Sequence, residues 1–209
     1  MKISYAIPVC NELSEIQHLV THLLHHKRNQ DEIVILYDSN NGHEYVEEYL
    51  RSHSQMGEYL WFERKFDNDF AAHKNALNKM CDGDWIFQID ADEYPDEHLI
   101  EVLPDILEHN NNVDLFFVPR VNIVKGLTDT HLKMWGWQQN DKGWVNWPDF
   151  QSRIYRNHPD INWTSHVHER IVGHKEFTTL PTQAEYALWH IKDVDRQERQ
   201  NSYYNTLLV

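Results

Sequence analysis

Apolar and polar positions alternate in a regular order over the first 95 residues. Lys2–Val9 reads as a strand through Ile3, Tyr5, Ala6, Ile7 and Val9, ending at Pro8 or just after it. From Leu13 the apolar positions Ile16, Leu19, Val20, Leu23 and Leu24 recur at helical spacing, and Lys27 and Arg28 fall in the last turn. Glu32–Tyr37 is a second buried strand, closed by the loop residues Asp38-Ser39-Asn40-Asn41-Gly42; Val46, Tyr49 and Leu50 then mark a short helix. Glu58–Phe62 reads as a third strand. A helix over Asp69–Cys81 turns Phe70, Leu77, Met80 and Cys81 inward, and the run from Trp85 is a fourth strand that stops at Asp90, Asp92 and Glu93. Four strands alternating with three helices predict an α/β fold with a largely parallel, doubly wound sheet.

The pattern changes after Pro95. Asp96 caps a helix carrying Leu99, Ile100, Leu103, Ile106 and Leu107, and Asp114–Val124 is a strongly β run interrupted at Pro119. Trp135, Trp137, Trp144 and Trp147 then fall within 13 residues, among Gly, Gln, Asn and Asp. Two readings stand for them: aromatics packing a loop, or a wall on which a sugar stacks. Phe150–Arg156 alternates as a strand. Asp193–Leu208 is helical, ending in Tyr203, Tyr204, Leu207 and Leu208, and the chain stops there without a capping residue, as a piece of something longer would.

Composition narrows the classes. At 209 residues and 41% apolar content the chain supports one domain with a sizeable core. With 19 Lys and Arg against 33 Asp and Glu, the net charge of −14 argues against a nucleic-acid groove or an anionic membrane surface. No apolar run approaches the roughly 18 residues of a membrane span, and the N-terminus has no leader pattern. Two cysteines, Cys10 and Cys81, without metal-type spacing fit a reducing, cytoplasmic setting.

The chemistry begins at Asp90 and Asp92. An apolar strand that delivers two acids to its carboxyl end sets both at the mouth of a sheet, where open α/β folds bind ligands, and such a pair holds a hard divalent cation on a phosphate. A calcium-loop reading matches Asp90, Asp92 and Glu101 but fails at Tyr94 and at Pro95, where a Gly is required. A haloacid-type phosphatase lacks its nucleophile on the first strand. A zinc hydrolase built on His166 and His168 leaves Asp90-Ala91-Asp92 unexplained.

Six blocks in order, Y-A-I-P-V-C-N-E, D-F-A-A-H-K-N-A-L before W-I-F-Q-I-D-A-D-E, R-I-Y-R, V-H-E and L-W-H-I-K, resemble a family 2 glycosyltransferase of the GT-A fold, across residues 2 to about 200. The resemblance implies a Rossmann-like, mostly parallel sheet flanked by helices, with a smaller mixed acceptor-side part. One domain would divide into a nucleotide-sugar half, 1–112, and an acceptor half, 113–209. It implies transfer of a sugar from a nucleoside diphosphate, most commonly a uridine one, to an acceptor hydroxyl with inversion. It sets Pro8, Asn11, Glu12 and Asp38 over base and ribose, with Asp69, Lys74 and Asn75 closing the pocket. Asp90 and Ala91 contact ribose and diphosphate, and Arg153 and Lys192 lie near the diphosphate. Asp90, Asp92 and His190 hold Mn²⁺ or Mg²⁺. Glu169 is the general base, with Asp149 as its substitute. The sequence departs from the family at Cys10, where an aromatic often stacks on the base, at Asp38-Ser39-Asn40-Asn41, which lacks D-x-G-S-T-D, and at Ser165, more often Gly. The rival is a catalytically silent nucleotide-sugar or carbohydrate-binding module of a larger glycan-assembly protein.

Overall fold

Each predicted β-α unit closes on the same sheet. A computed structural model describes residues 1–207, with side chains through residue 202; Leu208 and the side chains of Tyr203, Tyr204 and Leu207 lie outside the described residues. The first half of the chain forms β1 (Ile3–Val9), α1 (Leu13–His26), β2 (Glu32–Asp38), α2 (Glu44–Ser54), β3 (Leu60–Arg64), α3 (Phe70–Asn78) and β4 (Trp85–Gln88). The chain continues through β5 (Glu93–Pro95), α4 (Glu97–His109), β6 (Leu115–Lys125), α5 (Asp129–Trp135), β7 (Val145–Arg156), β8 (Asn162–Thr164), β9 (Arg170–Val172), β10 (Phe177–Thr179), β11 (Leu188–Asp193) and α6 (Val194–Leu207).

Strands β3, β2, β1 and β4 pair in parallel, as the alternation predicts. Their carboxyl ends therefore share one edge, which gathers Cys10–Glu12, Asp38–Gly42 and the Asp90–Asp92 turn. Strand β7 runs antiparallel to both β4 and β6, and β11 lies parallel to β6 and antiparallel to β5. The sheet is thus mostly parallel but mixed. One face is packed by α1 and α4 through Ile16, Leu19, Leu23, Leu99, Leu103 and their strand partners; the other is packed by α3 and the β8–β9 hairpin through Ala71, Leu77, Tyr155 and Trp163. Fully burying each such aliphatic side chain contributes about 1.5–3 kcal/mol.

Several boundaries differ from the sequence reading. Helix α1 ends at His26, so Lys27 is its C-cap rather than part of its last turn. Strand β3 is displaced to Leu60–Arg64 because Tyr59 turns in to bond the carbonyl of Leu50, and as an edge strand it leaves Leu60 and Phe62 exposed. Helix α3 begins after Asp69, which caps it, and buries Ala71, His73, Lys74 and Leu77, whereas Phe70 packs on Phe66. Pro119 does not interrupt β6; it pairs with Phe150 between two register shifts. Strand β7 starts at Val145, five residues early. Glu93 stands apart from Asp90 and Asp92, opening β5 with only 1% of its surface exposed.

Candidate active site

The loops after β1 and β2 are ordered by two carboxylates. Glu12 accepts the backbone N–H groups of Cys10 (2.9 Å) and Asn11 (3.0 Å), which fixes the turn leaving Pro8 and Val9. Asp38 accepts from Asn40 N (2.9 Å), Phe66 N (3.0 Å) and Asn41 Nδ2 (2.9 Å). Burial alone would raise its pKa, but these donors hold it below the ordinary carboxylate range. A Cβ at Gly42 would stand 2.3 Å from the Asp38 carbonyl and from the Tyr37 ring, so the D-S-N-N-G turn closes only on Gly. Burial, then Glu12 and Asp38, push the Cys10 thiol up to about 12 and keep it unreactive.

From α3, Asp69 caps the helix through Ala72 N (2.8 Å) and pairs with His166 (2.8 Å). Asn75 clamps the backbone of Trp163 by both amide atoms, so it docks the β8–β9 hairpin. Lys74 lies over the Trp163 ring, 4.5 Å from its centroid, and its Nζ reaches Glu169 at 2.6 Å and Asp90 at 3.7 Å. Glu169 ends the β8–β9 loop, in which Ser165 (φ 76°) and His168 (φ 56°) hold left-handed backbone conformations. At Ser165 that conformation is one a Gly adopts without strain.

A chain of alternating charges continues inward. Asp90 receives Arg153 (2.5 Å) on one oxygen and Gln88 (2.8 Å) on the other. Arg153 also reaches Glu93 at 2.8 Å, Glu93 takes Arg120 at 2.7 Å, and Arg120 holds Asp149 at 2.7 Å. Burial opposes charge on Asp90 and Arg153, yet their partners keep Asp90 far below, and Arg153 far above, their ordinary pKa values. Asp149 is engaged at both oxygens, by Arg120 and Asn122 on Oδ2 and by Gln151 on Oδ1. Neither of its oxygens is free of a side-chain partner.

The last link is the one with open chemistry. His190 Nδ1 lies 2.9 Å from Asn122 Oδ1, and its Nε2 lies 3.3 Å from Asp92 Oδ2. The same Asp92 oxygen is 3.3 Å from Arg196 of α6, which also pairs with Glu15 (2.5 Å) and Glu12 (3.6 Å). Burial would raise Asp92, but His190 and Arg196 draw it down to about 2. Lys192 bonds Gln200 at 2.8 Å, and burial pushes its ammonium down to about 8. A depression of about 200 Å³ opens beside Asp92, between Ser14, Glu15 and His18 of α1 and Ala91 and Tyr94; a larger hollow of about 570 Å³ between α1 and α2 touches none of these groups.

Whether these residues fit a divalent cation can be read from Asp92 and His190. Two neighbouring ligands about 2.1 Å from an octahedral ion stand roughly 3 Å apart, close to the separation found. Asp90 is taken up by Arg153 and Gln88, and among the described residues no three His, Cys, Asp or Glu side chains gather to hold an ion alone. One carboxylate completed by phosphate oxygens and water is the way Mg²⁺ is usually bound, and the imidazole adds a nitrogen beside it, so the pair fits an ion that the donor phosphates complete.

The Trp-rich segment divides. Trp144, Trp147 and Trp189 pack together with Val121 and Ala187 as a satellite core, whereas Trp135 and Trp137 form a half-buried pair with ring centroids 4.8 Å apart. Sequence reasoning missed Glu93, Arg120, Asn122 and Arg196. Charged and amide side chains inside the apolar run V-P-R-V-N were the available signal, since buried ionic groups need partners.

Comparison with known proteins bears on all of this. The sequence matches the family described as glycosyl transferase family 2 over residues 4–176. Among solved structures, S. aureus TarS 1–349 superposes with a TM-score of 0.65 over 91% of this chain and 60% of that one, at 13% identity. The longer S. aureus TarS gives 0.63 at 12% identity over 91% and 37%, and TarS 1–349 in complex with UDP-GlcNAc gives 0.63 at 13% over 92% and 59%. The chain thus spans 60% or less of these proteins, and at such identities the likeness is one of fold. No curated protein sequence matches.

Proposed function

Because the chain belongs to glycosyl transferase family 2 and has its GT-A fold, we propose that it transfers a sugar from a nucleoside diphosphate donor to an acceptor hydroxyl with inversion. UDP is the favoured nucleotide, by analogy with the UDP and UDP-GlcNAc complexes of TarS 1–349. Residues 1–112 bind the nucleotide and 113–209 the acceptor, in a cytoplasmic protein; among the described residues no helix is long and apolar enough to cross a membrane. The observation that carries the reading is the facing pair Asp92 Oδ2 and His190 Nε2 at the carboxyl edge of the sheet.

In the proposed reaction Asp92 and His190 hold Mn²⁺ or Mg²⁺ against the donor diphosphate, with Asp90, Arg153 and Lys192 around it. When bound, the cation stabilises the charge that builds on the leaving group. Pro8, Asn11, Glu12, Asp38 and Asp69 shape the nucleotide side. Glu169 takes the acceptor hydroxyl's proton as that oxygen attacks the anomeric carbon; the bond to the diphosphate breaks on the opposite face, and its electron pair leaves with the phosphate oxygen. Lys74 holds Oε1 of Glu169 at 2.6 Å, which leaves Oε2 for the acceptor.

Donor binding and slow donor hydrolysis in the presence of Mn²⁺ test this. We expect calorimetric binding of UDP that requires the metal and is abolished in Asp92→Ala. Binding unchanged by that substitution would remove the metal site, and absence of both binding and hydrolysis with every nucleotide sugar would remove the enzyme.

A further inference from the structure

Three carboxylates surround one guanidinium where α6 meets the site. Arg196 is the third residue of α6, which follows β11 without a linker, so the sheet fixes its backbone while the long side chain is free to turn. Its Nη1 is held by Glu15 Oε1 at 2.5 Å. Its Nη2 stands between two acceptors at nearly equal range, Asp92 Oδ2 at 3.3 Å and Glu12 Oε1 at 3.6 Å. Both separations are longer than a full hydrogen bond, so Nη2 is shared rather than committed. The two glutamates are themselves fixed. Cys10 and Asn11 donate their backbone N–H groups to Glu12 Oε2, and Ser14 donates to Glu15 Oε2, which leaves each Oε1 turned to Arg196.

The oxygen that Nη2 faces is also the one that an ion between Asp92 and His190 would take, since His190 Nε2 lies 3.3 Å from the same Oδ2. A guanidinium keeps its charge at every working pH. An ion seated there is therefore repelled across a few ångströms, at a carboxylate whose side chain is 13% exposed and poorly screened by water. We propose that Arg196 is a built-in competitor for Asp92 Oδ2: it withholds that oxygen from a divalent ion arriving alone and, pivoting on Glu15, turns onto Glu12 when the ion binds. The proposal rests on the metal reading above. It makes entry of the ion depend on the donor, because a diphosphate brings the negative charge that offsets the guanidinium. Ion and nucleotide then bind together, and the same pivot adds a partner to the Glu12 turn.

Free Mn²⁺, counted by its electron paramagnetic resonance signal, gives the affinity of the whole chain for the ion alone. We expect Arg196→Gln and Arg196→Ala to bind Mn²⁺ about 10-fold more tightly than the wild type, the scale of the repulsion they remove. Arg196→Lys keeps the charge and should stay near the wild type, a rescue that a packing effect would not give. Adding Asp92→Asn to Arg196→Gln should cancel the gain, and UDP should narrow the gap between Arg196→Gln and the wild type. Mn²⁺ affinity that is unchanged or weaker in both neutral variants overturns the proposal. If UDP binding weakens alongside it, Arg196 is a diphosphate ligand instead. A wild type that binds Mn²⁺ with UDP while the neutral variants gain nothing sinks the competitor alone. Absence of Mn²⁺ binding in every variant, with and without UDP, removes the metal reading and the competitor with it.

Discussion

Two guanidinium groups meet on a single oxygen of Glu93, from Arg153 at 2.8 Å and Arg120 at 2.7 Å. Arg153 has its second partner in Asp90. Removing it leaves two carboxylates in a poorly solvated site, and breaking such a buried pair costs about 3–5 kcal/mol. Arg153→Met should therefore lower the urea-unfolding free energy by about that amount, with Arg153→Lys recovering only part because an ammonium cannot span both partners. Glu169→Gln belongs to the same scale with the opposite signature: fold and UDP affinity retained, transfer slowed by roughly 10²–10⁴ in a turnover assay. Retained turnover would sink Glu169 as the base. What the residues disclose in advance is uneven. Asp90 and Asp92 stand out because acids abruptly end an apolar strand. Glu93 does not, because its burial depends on Arg120 and Arg153 and on β11, all brought from distant sequence.

At the level of elements, the parallel β-α units are legible because each strand and helix signals itself locally, by period and by cap. The errors fall where a neighbour decides. Tyr59 moves the start of β3, register shifts let β6 carry Pro119, and Trp144 and Trp147 find Trp189 some forty residues on. The buried face of α3 is a further case, since A-A-H-K-N-A-L gives no warning that His73 points inward. Arg64 NH1 lies 3.2 Å from His73 Nδ1, so that nitrogen accepts and the ring is neutral. Burial and then Arg64 lower its pKa from 6.5 to about 4, although Asp38 and Asp67 oppose them. Between those values the unfolded chain binds a proton that the folded one refuses. Stability from this group is full above about 6.5 and is lost as pH falls toward 4, by roughly 2 kcal/mol after allowing for partial solvent contact. His73→Gln should flatten that stretch of the stability–pH curve; an unchanged slope in chemical denaturation would assign it to other groups.

For the molecule as a whole, the proposed nucleotide and acceptor halves are not separate bodies. Strand β7 pairs Phe87 with Ile154 on one side and Phe116 with Ile154 on the other, so the same residue closes both halves of one sheet. Charges cross that seam as well, from Asp90 after β4 to Arg153 on β7. This much was hidden from the sequence, whose first half reads as a complete doubly wound unit. A nascent chain that has only reached α4 therefore displays β4, W-I-F-Q, as an unpaired apolar edge, and it stays so until residue 156 has been made. The order of synthesis thus leaves the strand leading to Asp90 and Asp92 open to wrong partners until late, and the long-range pairing with β7 that ends this exposure is the kind of contact that forms slowly.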